Sequence, residues 1–300
     1  MSVQVSIFHY SPDPAIGNYT IFNDILITQV KSIRELTDIP YKLNIINNEM
    51  HPNALADLRN RLPDVEIIDV PKHEMLCGPA GENGAIMNNK CDYLVILHTD
   101  VLVTWNWLST WLTHVKNAEA IYGVPCAVSP EGLLLYPKNE GSKHIGYTPE
   151  EMKGYMVKEM SINWKPWNGI PVGVSSPSPP NHPMKLYDVG NELGLYMAHR
   201  KFWEEVGLHD ETMLSTLDGI DMGLRALKTR CRNLLGGGLW LHHIGGLHLG
   251  VGCRLYRTGD GNWIGEAQFV QKWGTEMRRK VADGFAWIEL HKEQRERTGK

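Results

Sequence analysis

Long apolar runs are missing from this 300-residue chain, and nothing in it approaches the roughly 18 successive apolar residues that a membrane-spanning helix needs. Cysteine is scarce and poorly placed for a covalent or metal framework. Cys77, Cys91, Cys126, Cys231 and Cys253 are odd in number and show no Cys-x-x-Cys or Cys-x-x-His spacing. That argues against a disulfide scaffold or a zinc knuckle and fits a reducing compartment. A basic excess is missing too. The net charge of -4 offers no general attraction to phosphate backbones or anionic membranes, which disfavours a non-specific nucleic-acid binder without excluding a local basic groove. There are no internal repeats, and no Gly-x-Ser-x-Gly elbow of a doubly wound hydrolase. The opening MSVQVSIFHY reads as a strand, without the basic region and long apolar stretch of a secretory leader. The expected location is the cytoplasm.

What is present is ordinary globular usage, 42% hydrophobic and 21% charged residues, in a chain long enough to bury one full α/β core. Residues 3–8 form a short β-rich run that ends in the loop signal His9-Tyr10-Ser11-Pro12. From Thr20, the residues Phe22, Ile25, Leu26, Val30, Ile33 and Leu36 follow helical spacing, and Pro40 closes that helix. Strands are predicted at 42–46 and 65–70, and helices at 54–61 and 84–90. Tyr93-Leu94-Val95-Ile96-Leu97 is unbroken and apolar, as suits a central parallel strand buried on both faces. The alternation implies right-handed crossovers and a ligand crevice at the C-terminal strand ends. His9-Tyr10, Asn47-Asn48 and His98-Thr99-Asp100 should converge there.

Downstream, Leu108, Trp111, Leu112 and Val115 mark an amphipathic helix. About 137–187 changes character, with six prolines between Pro166 and Pro183 and with Trp164 and Trp167, and reads as a long loop or partly helical insertion. Regular structure returns at 193–198, with helices at 201–206 and from about Asp218. The last 20 residues read as a charged, helical, solvated tail.

Three segments carry candidate chemistry. Asp100, at the end of the buried strand, either holds a hard divalent cation or caps the following turn. Asp218 and Asp221, three apart at a helix start, share a face. They are either a cap and an i, i+4 partner of Arg225, or a general base for an acceptor hydroxyl. His242-His243-Ile244-Gly245-Gly246 follows another apolar strand and offers borderline ligands suited to manganese, beside glycines that let backbone approach phosphates. Arg254, Tyr256, Arg257 and Trp263 lie among glycines and either close over a diphosphate or sit at the surface.

Taken in order, these pieces resemble the family 2 glycosyltransferases of the GT-A fold. Phe8-His9-Tyr10-Ser11 stands where that family holds the nucleobase, and Asn47 stands at its second base contact. Asn83-Gly84-Ala85-Ile86 is similar to its Asn-x-Gly-Ile pattern, and 93–103 to the segment bearing Asp-x-Asp, followed by the frequent Trp-Leu at Trp107-Leu108. Residues 197–211 resemble the Arg-x-x-Phe-x-x-x-Gly-Gly-Phe-Asp-Glu region. Asp221-Met222-Gly223-Leu224-Arg225 resembles the end of Glu-Asp-x-Asp-Leu-x-x-Arg, and 242–246 the closing His-x-Gly-Gly. Two positions depart: His98 replaces the first aspartate of Asp-x-Asp, and Gly219 falls where the base usually stands.

The resemblance implies an α/β, mostly parallel sheet with helices on both faces. It divides the chain into a GT-A domain at 1–250, with the insertion at about 137–187, and a loop and helical extension at 251–300. It implies transfer from a nucleotide-sugar, UDP- or GDP-linked, to a glycan, lipid-linked sugar, protein or hydroxylated nucleobase. Mn2+ or Mg2+ would be held by Asp100 with His242 or His243. His9, Tyr10, Asn47, Asn83, His98 and Arg257 would bind the donor. Asp218 or Asp221 would take the acceptor proton, unless the enzyme is retaining and needs no base there. The alternatives are a non-catalytic nucleotide-sugar or carbohydrate binder on the same fold, and a sugar-1-phosphate nucleotidyltransferase. The latter should carry a glycine- and arginine-rich loop after its first strand, and residues 9–17 do not.

Overall fold

The computed structural model describes residues 1–11, 19–70, 78–134, 186–188, 195–213, 217–243, 264–282 and 284–299. Most of the 137–187 insertion, with Trp164 and Trp167, lies outside the described residues, as do Gly245, Gly246, Arg254, Tyr256, Arg257 and Trp263.

The first half builds four parallel strands. Strand β1 (Val3–His9) pairs with β2 (Lys42–Asn47) on one side and β4 (Tyr93–His98) on the other, and β3 (Glu66–Asp69) extends the sheet beyond β2. Helices α1 (Tyr19–Leu36), α2 (Pro52–Arg61) and α3 (Gly78–Met87) form the crossovers. The sequence reading of a helix over 84–90 is corrected by α3, which starts at Gly78. Its glycines allow the close approach: a Cβ on Gly84 would lie 2.2 Å from Val70 Cγ1 and 2.9 Å from Ile46 Cγ2. After β4 come the two-residue β5 (Val101–Leu102), α4 (Trp107–Tyr122) and β6 (Cys126–Leu134). Helix α4 stops at Gly123, whose φ of 65° is the left-handed geometry of a helix C-terminus.

The later strands β7 (Leu186–Asp188), β8 (Tyr196–His199) and β9 (Arg232–His243) complete a sheet with the order β3-β2-β1-β4-β8-β6-β9-β5, and β7 also pairs with β9. Strand β8 is antiparallel to β4 and β6, whereas β6 and β9 are parallel. The C-terminal ends of β1, β2, β4, β6 and β9 therefore share one edge.

Side chains on the two faces fill separate cores, following the period of two along each strand. Val5, Ile7, Val95 and Leu97 meet α1 and α4 through Leu26, Val30, Trp107 and Trp111. Phe8, Leu94 and Ile96 meet α3, α5 (Arg200–Val206) and α6 (Asp218–Lys228) through Ala85, Phe202, Trp203 and Met222. A third core joins α6 to α7 (Ile264–Trp273), α8 (Thr275–Ala282) and α9 (Gly284–Thr298) through Leu224, Leu227, Phe269, Val281 and Trp287. The reading of the last 20 residues as a solvated tail is corrected accordingly. Gln294 Nε2 donates to the carbonyls of Ala226, Thr229 and Cys231, and Arg297 to those of Leu227 and Lys228. These bonds serve the last carbonyls of α6, at Ala226, Leu227 and Lys228, and those of Thr229 and Cys231 just beyond it. Among the described residues no helix is long and apolar enough to cross a membrane.

Candidate functional site

The strand-end edge gathers the polar residues expected there, with distinct surroundings. The His9 imidazole is fully buried. Its Nδ1 lies 2.9 Å from Thr99 Oγ1, and its Nε2 lies 2.8 Å from Ser11 Oγ and 3.2 Å from Asn23 Oδ1. Asn23 in turn donates to the Ala54 carbonyl and to Asp57. His9 thus sits inside a buried polar network that joins β1, α1 and α2. Tyr10 is buried beside it. Asn47 donates to Asp69 Oδ1 at 2.6 Å and accepts the Met50 N–H at 2.8 Å, which fixes the turn after β2. His98 is part-buried, its ring edge-on to Phe8 with centroids 4.9 Å apart, and its carbonyl accepts from Gln29.

Asp100 is 2% exposed and directly precedes β5. Antiparallel pairing sets Val101 opposite His243 and Leu102 opposite His242. Residues at least 140 positions apart in sequence thereby come together at one edge. The backbone pairing thus sets one carboxylate-bearing position, Asp100, next to a strand end that carries His242 and His243.

The two aspartates of α6 part company. Asp221 is fully buried, and both its oxygens are engaged. Arg225 Nε reaches Oδ2 at 2.8 Å, while Trp273 Nε1 and Lys272 Nζ reach Oδ1 at 2.7 Å and 2.8 Å. The i, i+4 pairing with Arg225 is what the geometry holds. Asp218 opens the helix with its side chain 13% exposed. It is not the cap, since Leu217 occupies that position and no side-chain cap bond forms. Asn83 is likewise committed: Nδ2 donates to the His209 carbonyl and to Glu211, and Oδ1 accepts the His209 N–H. It straps α3 to residues 209–211.

Beneath this strap lies a cluster that sequence reading missed. Glu82, His209 and Asp218 each offer a ligand atom, all within 4.8 Å of one another, and all three residues are buried or nearly so. His209 Nδ1 lies 3.0 Å from Glu82 Oε2 and 3.7 Å from Asp218 Oδ2, and Nε2 lies 2.8 Å from Tyr196 Oη. Burial drives the His209 pKa down to about 4 against the opposing pull of Asp218, so the ring is neutral at pH 7. The cluster adjoins the strand ends, because a Cβ on Gly81 would lie 3.0 Å from Phe8 Cβ, and Phe8 is the ring that His98 contacts. Its one legible trace was the motif-like segment at 197–211, where His209 takes an aromatic position. Glu82 left no trace.

No protein-family model and no curated protein sequence matches this chain. Among solved structures, it resembles GalNAc-T7 with UDP, GalNAc and Mn2+ at a TM-score of 0.54 and 14% identity, over 81% of this chain and 44% of that one. S. aureus TarS 1-349 aligns at a TM-score of 0.47 and 7% identity, over 81% of this chain and 60% of that one. The chain thus spans less than two thirds of either. The GalNAc-T7 likeness, with the mostly parallel sheet and helices on both faces, shows a GT-A fold.

Proposed function

We propose that this chain is a glycosyltransferase of the family 2 type, moving a sugar from a UDP- or GDP-linked donor to an acceptor hydroxyl with Mn2+ or Mg2+. The observation that supports the reading is the β5–β9 backbone pairing, which sets His243 and His242 opposite Val101 and Leu102, the two residues after the buried Asp100. Likeness to a structure holding UDP and Mn2+ supports the nucleotide and the ion. By the chemistry of its donors, one carboxylate oxygen and an imidazole nitrogen, Asp100 with His242 or His243 would hold the ion. When bound there, the ion would neutralise charge developing on the departing nucleoside diphosphate.

The protein's own residues divide into those that meet substrate and those that hold the site in shape. His98 and Tyr10 are assigned to the donor, as is Arg257, which lies outside the described residues. His9, Asn47 and Asn83 act from behind, because their polar atoms are engaged within the protein. Asp218, with access to solvent, is assigned the acceptor's proton, while Asp221 positions Arg225 and the helix that carries Asp218. The acceptor is a glycan, lipid-linked sugar, protein or hydroxylated nucleobase. Cytoplasmic residence is proposed, and it fits the described cysteines Cys91, Cys126 and Cys231, which are not joined in disulfides.

The test is a panel of UDP- and GDP-sugars, read by thermal protection and by nucleoside diphosphate release, with and without chelator. A true donor stabilises only the folded state. Asp100→Ala should retain the fold and lose turnover on the order of a hundredfold or more, the scale of removing one transition-state charge partner. Full turnover in chelator, or in D100A, would sink the metal role. Protection without any diphosphate release would favour a binding protein.

A further inference from the structure

We propose that Glu82, His209 and Asp218 form a second divalent-cation site, distinct from the strand-end centre, that clamps α3 to the start of α6. The ligand would be a first-row transition ion of the zinc or manganese kind, matched to one imidazole nitrogen and two carboxylate oxygens.

The spacing comes first. Ligand atoms about 2.1 Å from a shared ion lie about 3.0 Å apart when they subtend 90° and about 3.6 Å apart at 120°. The observed separations from His209 Nδ1 are 3.0 Å to Glu82 Oε2 and 3.7 Å to Asp218 Oδ2. Both separations from His209 thus suit a shared ion, and the two carboxylate oxygens lie within 4.8 Å of each other.

The second, independent observation is His209 itself. Its side chain is fully buried, and Nδ1 has no hydrogen-bond partner although Glu82 Oε2 lies 3.0 Å away. Its other nitrogen is well served. Trp203 Nε1 donates to the Tyr196 oxygen at 3.1 Å, and the Tyr196 hydroxyl is 3.4 Å from Met222 Sδ. If Tyr196 gives its proton to Met222, its oxygen can also accept Nε2–H of His209 at 2.8 Å. The imidazole then carries its proton on Nε2 and turns a bare Nδ1 lone pair toward two carboxylates. The opposite tautomer would bury an N–H that makes no hydrogen bond, which is costly. A cation on Nδ1 resolves both difficulties. It also gives His209 the arrangement usual for a metal-bound histidine, with the far N–H held by an oxygen.

Ion content is read without any donor or acceptor, so the outcome is separable from that of the transfer reading. The purified full chain carrying Asp100→Ala, which removes the strand-end centre, is loaded with Zn2+, dialysed, and analysed by elemental mass spectrometry, alone and with Glu82→Gln or His209→Ala added. Asp218 is left out, since transfer uses it. One equivalent of Zn2+ is expected in D100A, with loss when E82Q or H209A is added. Co2+ should give visible ligand-field absorption in D100A that is absent once E82Q is added, a near-isosteric change that spares the fold should H209A fail to accumulate. Failure of D100A to retain Zn2+ and to develop the Co2+ spectrum overturns the proposal. So does retention of Zn2+ when D100A and E82Q are combined.

Discussion

Replacing Asp221 by alanine separates a structural carboxylate from a catalytic one. The side chain is fully buried, and its removal strands the Arg225 guanidinium, which is 20% exposed, and the Trp273 indole N–H. Lys272, 34% exposed, can turn to water or to Asp210, so it adds little. Breaking a buried, hydrogen-bonded pair from one side costs about 3–5 kcal/mol, because a charge stays behind without its partner. In a chain of this size a loss of 1 kcal/mol lowers Tm by roughly 2 °C, so the expected shift is on the order of 6–10 °C. Urea and thermal denaturation measure it, with Asp221→Ala, Trp273→Phe and the double variant forming a cycle. The two changes should be non-additive, since each removes the same 2.7 Å bond. Asp221→Asn, which keeps an acceptor for the indole, should fall between parent and alanine. The reasoning is refuted if Asp221→Ala melts within about 1 °C of the parent while sugar transfer collapses. That pattern would make Asp221 the base.

Three further outcomes follow from single contacts. Asn83→Ala removes three hydrogen bonds at a buried position and leaves the His209 N–H unanswered, so about 2–3 kcal/mol of stability should be lost in urea denaturation. Gly84→Ala improves helix propensity by up to about 1 kcal/mol, yet drives a methyl to 2.2 Å from the stiff Val70 side chain. The clash should win, with a net loss of about 1–2 kcal/mol, and a gain in Tm would refute the close packing of α3. Glu119 has its pKa raised by burial, and it accepts from the Tyr93 hydroxyl, itself pushed up to about 12. A carboxyl with a raised folded pKa binds more protons folded than unfolded. Its penalty is absent in acid and grows as pH rises from its ordinary value through the folded one. Glu119→Gln should therefore be more stable than the parent at neutral pH and no better at pH 3, as denaturation at the two pH values will show.

The parallel half of the sheet was legible because its signals are local. The unbroken run at β4 and the helical spacing of Phe22, Ile25, Leu26, Val30 and Ile33 each need only their own residues to declare an element, and all five of these helix residues are buried as that spacing requires. The start of α3 was hidden for the opposite reason. Gly78, Gly81 and Gly84 read as breakers in isolation, and only the nearness of Phe8, Ile46 and Val70 explains why a helix is built from them. The docking of α9 was hidden in the same way. Its charged residues dominate the composition, but Trp287, His291 and Gln294 form the buried side, and what they meet is the end of a helix nearly 70 residues earlier.

The candidate site divides along the same line. Asp100, at a strand terminus, announces itself by position. His9 and Asn83 also stood at the expected positions, but position could not tell whether their polar atoms face a ligand or the protein, and the partners that decide this are Thr99, Ser11, Asn23, His209 and Glu211. Asp221 shows how a motif can be matched and its chemistry still be open, since Trp273 lies 52 residues away and no local pattern points to it. Glu82, His209 and Asp218 are the extreme case. Asp218 drew notice only as a base or cap, Glu82 and His209 are unremarkable in their own segments, and the three form a donor set because Asn83 straps α3 to residues 209–211. The strap and the cluster are thus one device. Loosening Asn83 should open the three ligand atoms, so N83A should lose Zn2+ along with stability, whereas Gly84→Ala, which disturbs the sheet side of α3, should lose stability first.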